Sequence, residues 1–246
     1  MANWYPDNKD ELDKTVNQLL GLKTPSSWAG GRERNELKKE IHGLIVPHAG
    51  YQYSGKIAGK AFSLLKNKKI KRIVILSPSH YTAFLGVKTI EKIQTPLGEV
   101  DITKNSYSKL KYEHSVDNQI PFLQKLGIKE ILPLVIGEIT ESEAEDISKE
   151  LIKHLDKETI LIFSTDLSHF FPYETAVKKD KETIKIIENL DINNWNKIDA
   201  CGIFPLLILM NLCKIKSYKP KLIEYKNSGD ITGDKSSVVG YSSFWF

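Results

Sequence analysis

The sequence predicts a single-domain α/β protein with a mixed, mainly parallel β-sheet that is covered by helices on both faces. Short apolar runs rich in β-branched residues, such as Gly43–Val46 and Arg72–Leu76, alternate with segments of helical periodicity. Apolar runs without polar alternation are typical of strands that are buried on both faces, as in parallel sheets. The chain contains no long linker and no internal repeat, so we assign residues 1–246 to one domain.

Several segments have the periodicity of helices, each with its own local features. In the first, Leu12, Val16 and Leu19 recur at helical spacing. A later segment has acidic residues in its first turns, where the helix dipole favours them. The last is apolar on most sides, which predicts a buried helix. The predicted helices are Asp7–Leu20, Lys56–Leu65, Glu141–Leu155, Glu174–Asn189 and Cys201–Cys213.

The remaining apolar runs predict the strands of the sheet. Val87–Ile90 and Glu99–Ile102 lie on either side of a Thr-Pro-Leu-Gly turn at residues 95–98, which indicates a hairpin and makes the sheet mixed. A polar loop with Pro and paired Gly residues is predicted over residues 24–37. The other predicted strands are Gly43–Val46, Arg72–Leu76, Glu130–Ile136, Thr159–Phe163, Leu222–Tyr225 and Ser237–Phe246.

Composition and charge argue against nucleic-acid binding and membrane insertion. The 35 basic and 31 acidic residues leave a net charge of only +4, and the lysines are scattered or form short runs. The longest apolar run, Ile203–Leu212, falls well short of the roughly 20 residues that span a bilayer. Cys201 and Cys213 form no CxxC pair, and the first residues lack the pattern of a signal peptide. We therefore expect a cytoplasmic protein in a reducing compartment.

Polar side chains follow the ends of three predicted strands. His48 comes after the first of these strands, His80 after the second, and Asp166 with His169 after the third. A single histidine after a strand is more often a loop-capping or hydrogen-bonding group than a ligand. Because the carboxyl ends of parallel strands lie along one edge of the sheet, where ligands bind, all three together favour one shared cleft.

Two further segments contain candidate site residues. Glu113 and His114 stand just before a predicted helix that Ser115 could cap, and they could project into the same cleft; the alternative is a surface capping segment. A Gly-rich segment carries Asp230 and Asp234, whose alternative role is to form turns. That segment lacks the ligand spacing of an EF-hand calcium loop. Motifs of nucleotide-binding proteins, serine hydrolases and the commonest zinc proteases are absent from the sequence.

A set of short motifs runs in order along nearly the whole chain. The most specific are the Pro-His-Ala-Gly-Tyr segment at residues 47–51 and the Glu-His-Ser segment at residues 113–115. The motifs are Trp4–Pro6, Val46–Gly55, Ser77–His80, Thr95–Gly98, Glu113–Ser115, Gln119–Leu123, Ser164–His169, Cys201–Gly202 and Val239–Tyr241. Together they resemble the Memo-like family, which is similar in fold to the class III extradiol dioxygenases, enzymes that cleave catechol rings with non-haem Fe(II).

The resemblance implies a metal pocket in which His48 and His80 match the two histidine ligands. The third ligand is a carboxylate in the dioxygenases and a cysteine in the animal Memo protein; alignment by hand places Asp230 at this position. His169 matches the acid–base histidine of the dioxygenases, and Asp166 lies beside it in the sequence. Two histidines and one carboxylate favour Fe(II), with Zn or Cu as alternatives. By family analogy, AMMECR-type and radical-SAM proteins are expected partners.

These residues support three hypotheses about function. The first is a metal-binding, redox-active protein with an oxygenase-like pocket for a small molecule, in which His169 moves a proton. The second is a zinc-dependent hydrolase, because two histidines, one aspartate and one water also form a catalytic zinc site. The third is a binding module without catalysis, whose cleft recognises a peptide or a phosphorylated ligand; the lack of an Arg cluster argues mildly against phosphate.

Overall fold

The apolar runs of the sequence form the strands of one β-sheet in the computed structural model, which describes residues 4–22 and 40–246. The strands are β1 (Gly43–Val46), β2 (Arg72–Pro78), β3 (Val87–Ile90), β4 (Ile93–Thr95), β5 (Gly98–Ile102), β6 (Lys109–Leu110), β7 (Glu130–Ile136), β8 (Thr159–Ser164), β9 (His169–Phe171), β10 (Lys221–Asn227) and β11 (Val238–Trp245). The polar loop predicted over residues 24–37 lies outside the described residues.

Helices connect most of these strands. They are α1 (Lys9–Leu19), α2 (Tyr51–Ser63), α3 (His114–Asp117), α4 (Ile120–Lys125), α5 (Glu141–Lys153), α6 (Tyr173–Asn189), α7 (Ile203–Lys216) and α8 (Ser228–Thr232), with a 3-10 helix over Ile192–Lys197. In the part of the chain that the structure describes, no helix combines the length and the apolar character needed to cross a membrane.

The middle of the sheet is parallel, as the β-branched apolar runs predict. β1, β8, β2 and β7 are neighbours in this order and run in the same direction. Antiparallel strands flank them, since β11 pairs with β1 and β10 on one side and β3 pairs with β7 on the other. The predicted fold class, a mixed and mainly parallel sheet, is therefore confirmed.

Each central strand contributes to two hydrophobic cores, one on each face of the sheet. Successive strand residues point to opposite faces. In β2, Ile73 and Ile75 belong to the core formed with α1, α2 and α4, whereas Val74 and Leu76 belong to the core formed with α5, α6 and α7. This alternation explains why the middle of each of these strands is a continuous apolar run, and it confirms that helices cover both faces.

Two elements differ from the sequence prediction. The hairpin forms between β4 and β5, closed tightly from Thr95 to Gly98, whereas Val87–Ile90 extends the main sheet beside β7. The predicted partner of Val87–Ile90 is therefore wrong, because the tight turn pairs Gly98 with Thr95 and places Ile93, not Val87–Ile90, opposite Val100. Helix α2 begins at Tyr51, earlier than predicted, since the buried Tyr51 ring packs 5.0 Å from the Phe122 ring.

A close approach between α1 and α2 depends on Gly59. A Cβ at this position would overlap the carbonyl group of Leu19, with the carbonyl carbon at 2.7 Å. We expect Gly59→Ala to lower the free energy of unfolding by about 1–3 kcal/mol, because overpacking against rigid backbone outweighs the gain in helix propensity. Urea denaturation measures the change. Gly50→Ala is the matched control, since its new Cβ would meet no atom closer than 3.6 Å, and equal losses in both variants would contradict the explanation.

Candidate metal centre

The carboxyl ends of β1, β2 and β8 bring the predicted site residues together. His48 and Asp166 follow the paired strands β1 and β8, and His80 follows β2, the other neighbour of β8. The imidazole rings of His48 and His80 are 5.1 Å apart between centroids. Only 2% of the surface of His48 is exposed, whereas the side chain of His80 is 26% exposed. The two rings therefore form the inner and outer parts of one cleft.

Cys201 stands in the same cleft, although its sequence context predicts only a buried helix. Its Sγ atom lies 3.3 Å from Nε2 of His48. Donor atoms of His48, His80 and Cys201 all lie within 4.8 Å of one another, a separation that allows one metal ion to contact all three. Burial raises the pKa of the Cys201 thiol to about 12, so the thiol keeps its proton unless a metal ion displaces it.

Backbone contacts between residues 165–166 and residues 201–202 position this thiol. The Gly202 N–H donates to Oγ1 of Thr165 at 2.9 Å, and the Asp166 N–H donates to Sγ of Cys201 at 3.3 Å. A Cβ on Gly202 would lie 2.6 Å from the same Thr165 oxygen, so glycine is needed for this approach. The chain before α7 is thus held against the end of β8, with the sulfur turned towards His48.

Asp230 is not grouped with the two histidines, contrary to the alignment by hand. It lies exposed in α8, where its carboxylate accepts hydrogen bonds from the Asn227 N–H at 2.9 Å and the Tyr173 hydroxyl at 2.7 Å. It forms a capping box with Asn227, and Asp234 accepts the Ser236 N–H in a turn. Neither aspartate belongs to a metal-capable group among the described residues. We therefore replace Asp230 by Cys201 in the candidate ligand set.

Hydrogen bonds around Ser164 assign the tautomer of His48. The Ser164 hydroxyl donates to the Ser115 carbonyl oxygen at 2.6 Å and accepts a hydrogen bond from Nε2 of Gln119 at 2.9 Å. Its proton is thereby used, so the 2.9 Å contact with Nδ1 of His48 requires an N–H on that ring atom. Burial lowers the pKa of His48, aided by the nearby imidazoles, so the ring is neutral. Its Nε2 lone pair then points at Cys201 and is free to bind a metal.

Glu113 plays the corresponding part for His80. Its carboxylate accepts hydrogen bonds from Nδ1 of His80 at 2.9 Å, from the His80 N–H at 2.7 Å and from the Ser115 N–H at 3.2 Å. Burial raises the pKa of Glu113, but the nearby His114 imidazole and the two hydrogen bonds from His80 outweigh burial and hold the pKa well below its usual range. An ionised Glu113 keeps the proton of His80 on Nδ1, which leaves Nε2 as the atom that can bind a metal.

His114 completes a group of three imidazoles. Its ring stacks on Trp4 with 4.3 Å between centroids and lies 4.4 Å from the ring of His80. Its Nδ1 is 3.1 Å from Glu113, outside hydrogen-bond geometry, and has no hydrogen-bond partner among the described residues. His80, Glu113 and His114 form a second metal-capable group. Because Glu113 is already committed to His80, the group with Cys201 is the better site.

The capping role predicted for Ser115 belongs instead to Glu113. The Glu113 side chain caps α3, and Ser115 lies inside that short helix. The Ser115 hydroxyl donates to the Pro78 carbonyl oxygen at 3.0 Å, which joins α3 to the end of β2. This link holds Glu113 directly beside His80.

Asp166 lies buried beside His48, whereas His169 begins strand β9 and pairs with Val239 of β11. The Asp166 carboxylate accepts the His48 N–H at 2.8 Å, and its other oxygen is 3.9 Å from Nε2 of His48. Burial raises the pKa of Asp166, whereas a charge on His169 would lower it, so the two side chains are electrostatically linked. The loop between them is held by the buried Asp180, which accepts the Ser168 N–H at 2.9 Å.

Sequence reasoning misses Cys201 as a donor, and it misses Ser164 and Gln119 as the residues that orient His48. The signal for Cys201 is the Cys-Gly motif directly before an apolar helix, but a cysteine among apolar residues usually indicates a core position. Ser164 and Gln119 lie within the family motifs and carry no chemical signature of their own. Their roles depend on contacts across about 45 residues or more of chain.

The fold and the site together define an α/β protein with a histidine- and cysteine-lined cleft at the carboxyl edge of its parallel strands. The family model described as "Memo-like protein" matches residues 2–245. The chain belongs to the Memo-like family.

Relatives in this family resemble the chain over its whole length. A MEMO1 family protein of Sulfurisphaera tokodaii is 37% identical, covering 99% of this chain and 96% of the relative. A MEMO1 family protein of Thermoplasma volcanium is 31% identical, covering 98% and 94%. One from Aquifex aeolicus is also 31% identical, covering 100% and 96%. The predicted resemblance is confirmed.

Proposed function

We propose that the cleft binds one transition-metal ion through Nε2 of His48, Nε2 of His80 and Sγ of Cys201. The observation that carries this proposal is the convergence of the three donors, each oriented by a separate hydrogen-bonding residue. Ser164 and Glu113 occupy the Nδ1 atoms of the two rings, and the Asp166 N–H contacts the sulfur. In metal sites, a hydrogen-bond acceptor on one imidazole nitrogen keeps the proton there and so leaves the other nitrogen to bind the metal.

Fe(II) is the proposed ion, with Cu and Zn as its competitors. Imidazole binds all three metals, but a thiolate favours Cu(I) and Zn more than the carboxylate of the sequence-based prediction would. Three protein donors leave coordination positions free on the open side of the cleft, where His80 is partly exposed. A bound ion would supply Lewis-acid or redox chemistry to a substrate at those positions.

The residues around the ion would handle protons. Asp166 lies close to the coordinating nitrogen of His48, and its raised pKa lets the carboxyl hold a proton at lower cost than an exposed aspartate. We assign to His169 the exchange of protons with solvent, because a charge on His169 would lower the pKa of Asp166. Neither side chain is needed as a metal ligand in this arrangement.

The test compares the two cysteines of the chain. Protein purified without oxygen is expected to contain about one equivalent of Fe(II), and Co(II)-loaded protein is expected to show a thiolate-to-metal absorption band. Cys201→Ser should remove the band and weaken Co(II) binding by at least about tenfold, because a hydroxyl is a poor ligand for these ions. Cys213→Ser, in the buried face of α7, is the matched control and should retain both.

An unchanged absorption band in Cys201→Ser would contradict the ligand set. Zn in place of Fe in the oxygen-free preparation, together with hydrolysis of an ester by the Zn form, would favour the hydrolase hypothesis over the redox one.

A further inference from the structure

A cavity of about 440 Å³ opens beside Cys201 on the core face that α7 covers. Its walls come from the ends of β2 and β7, the loop between β2 and β3, and the first turn of α7. The larger apolar residues of the wall are Pro78, Phe84, Leu85, Ile136, Ile203 and Phe204. Because Cys201 is part of the lining, the cavity adjoins the candidate metal centre.

The chemistry of the wall selects against ions. Among the described residues that line the cavity, Glu138 is the only charged one, and it is exposed at the surface. No lysine, arginine or histidine among them offers a partner for a carboxylate or a phosphate. The proton of the Ser79 hydroxyl is already donated to the Thr82 carbonyl oxygen at 2.6 Å. An anionic group held against this wall, away from the metal position, would therefore lose its hydration without compensation, whereas an apolar group would not.

The cavity is preformed by backbone hydrogen bonds. The Gly137 N–H donates to the Gly86 carbonyl oxygen at 2.9 Å, and the Glu138 N–H donates to the Phe84 carbonyl oxygen at 3.0 Å. The Gly86 N–H donates back to Glu138 at 3.0 Å. The loop that carries Phe84 and Leu85 is thus joined to the end of β7. A ligand entering this space would meet a fixed wall and lose little affinity to ordering of the protein.

We infer that this cavity is the substrate pocket of the proposed metal centre, and that its substrate is an uncharged, mainly apolar small molecule. The apolar part lies between the first turn of α7 and the loop carrying Phe84, and a polar group of the molecule faces Cys201. The ligand is a substrate only if the proposed metal centre exists, so this part of the inference rests on the proposed function. The preference of the cavity for neutral molecules depends on its lining alone.

The test uses a matched pair of probes, neutral 2-naphthol and anionic 2-naphthoate, with equilibrium dialysis and the absorption spectrum of the Co(II) protein. In metal-free protein we expect 2-naphthoate to bind at least about tenfold more weakly than 2-naphthol, and in the Co(II) protein we expect 2-naphthol to shift the absorption bands. Ile203→Trp should fill the cavity and weaken 2-naphthol binding by about tenfold or more. Ile215→Trp, at the exposed other end of α7, is the control and should change it by less than about twofold.

The outcomes separate this inference from the metal proposal, because Co(II) content is measured on the same samples. Intact Co(II) binding with no 2-naphthol binding, or with equal affinities in Ile203→Trp and Ile215→Trp, would overturn the pocket alone. Binding that Ile203→Trp blocks but that leaves the Co(II) bands unchanged would overturn its link to the metal. If the wild-type protein took up no Co(II), the metal proposal would fail, and dialysis of the metal-free protein would still test the preference for the neutral probe.

Discussion

Replacing His48 by alanine is expected to weaken metal binding by more than about 100-fold. Replacing a residue that only orients a ligand usually weakens metal binding by about 10- to 100-fold. His48 supplies the most buried donor of the candidate centre, and it stands 3.3 Å from the only sulfur of the site. Its removal leaves His80 and Cys201, which are too few to hold a labile ion tightly. Competition between the protein and a coloured chelator for Co(II) or Fe(II) measures the loss.

The fold should survive this substitution. Ser164 keeps its hydrogen bonds to Ser115 and Gln119 without the imidazole, so we expect a loss of about 1–3 kcal/mol in unfolding free energy. Circular dichroism and urea denaturation check this. His154→Ala is the matched control, because His154 is 71% exposed and its imidazole contacts Glu150 at the surface. Wild-type metal content in His48→Ala would remove the main support for the proposed site.

Replacing Glu113 by alanine is expected to reduce both metal affinity and stability, although Glu113 is not a ligand in the proposed centre. The substitution leaves the N–H groups of His80 and Ser115 without their acceptor and frees the His80 ring to change tautomer. We expect metal affinity to fall by about 10- to 100-fold. The free energy of unfolding should fall by about 3 kcal/mol, as when one member of a buried charged network is removed.

Comparison of wild type with Glu113→Gln measures how the contribution of ionised Glu113 to the free energy of unfolding depends on pH. The folded protein holds the pKa of Glu113 below the ordinary value of 4.5, so its ionisation stabilises the fold above that pH, and the stabilisation is lost as pH falls below it. In metal-free protein, the stability difference between wild type and Glu113→Gln should therefore shrink between about pH 5 and pH 3. Glu145→Ala, at an exposed position of α5, serves as control. A difference that stays constant with pH would rule out the ionised carboxylate as its source.

The position of the cleft could be predicted because it follows from the order of short segments along the chain. Continuous apolar runs specify buried parallel strands, and parallel strands align their carboxyl ends. A histidine placed directly after β1 and another after β2 must then share one edge of the sheet, whatever the loops between them do. The family motifs at Pro47–Tyr51 and Glu113–Ser115 identify the same edge.

The pairing of Val87–Ile90 could not be predicted from the local sequence. Its apolar alternation fits a strand, and the turn at residues 95–98 fits a hairpin, yet the strand pairs with β7 instead. Strand propensity predicts that a segment is extended and half-buried. It does not predict the partner strand, which depends on the packing of the whole sheet.

The amino-acid pattern alone is enough to predict the fold class, the edge of the sheet that carries the site, and the two histidines in its cleft, because each depends on local pattern and strand direction. The three-dimensional arrangement of the chain is needed to place Cys201, and not Asp230, beside these histidines and to show that Ser164 and Glu113 orient their rings. Those choices depend on close approaches between distant segments, such as Gly202 against Thr165, and on which polar atoms remain free after capping and turn formation. The spacing of residues along the chain specifies neither the close approaches between distant segments nor the polar atoms that remain free.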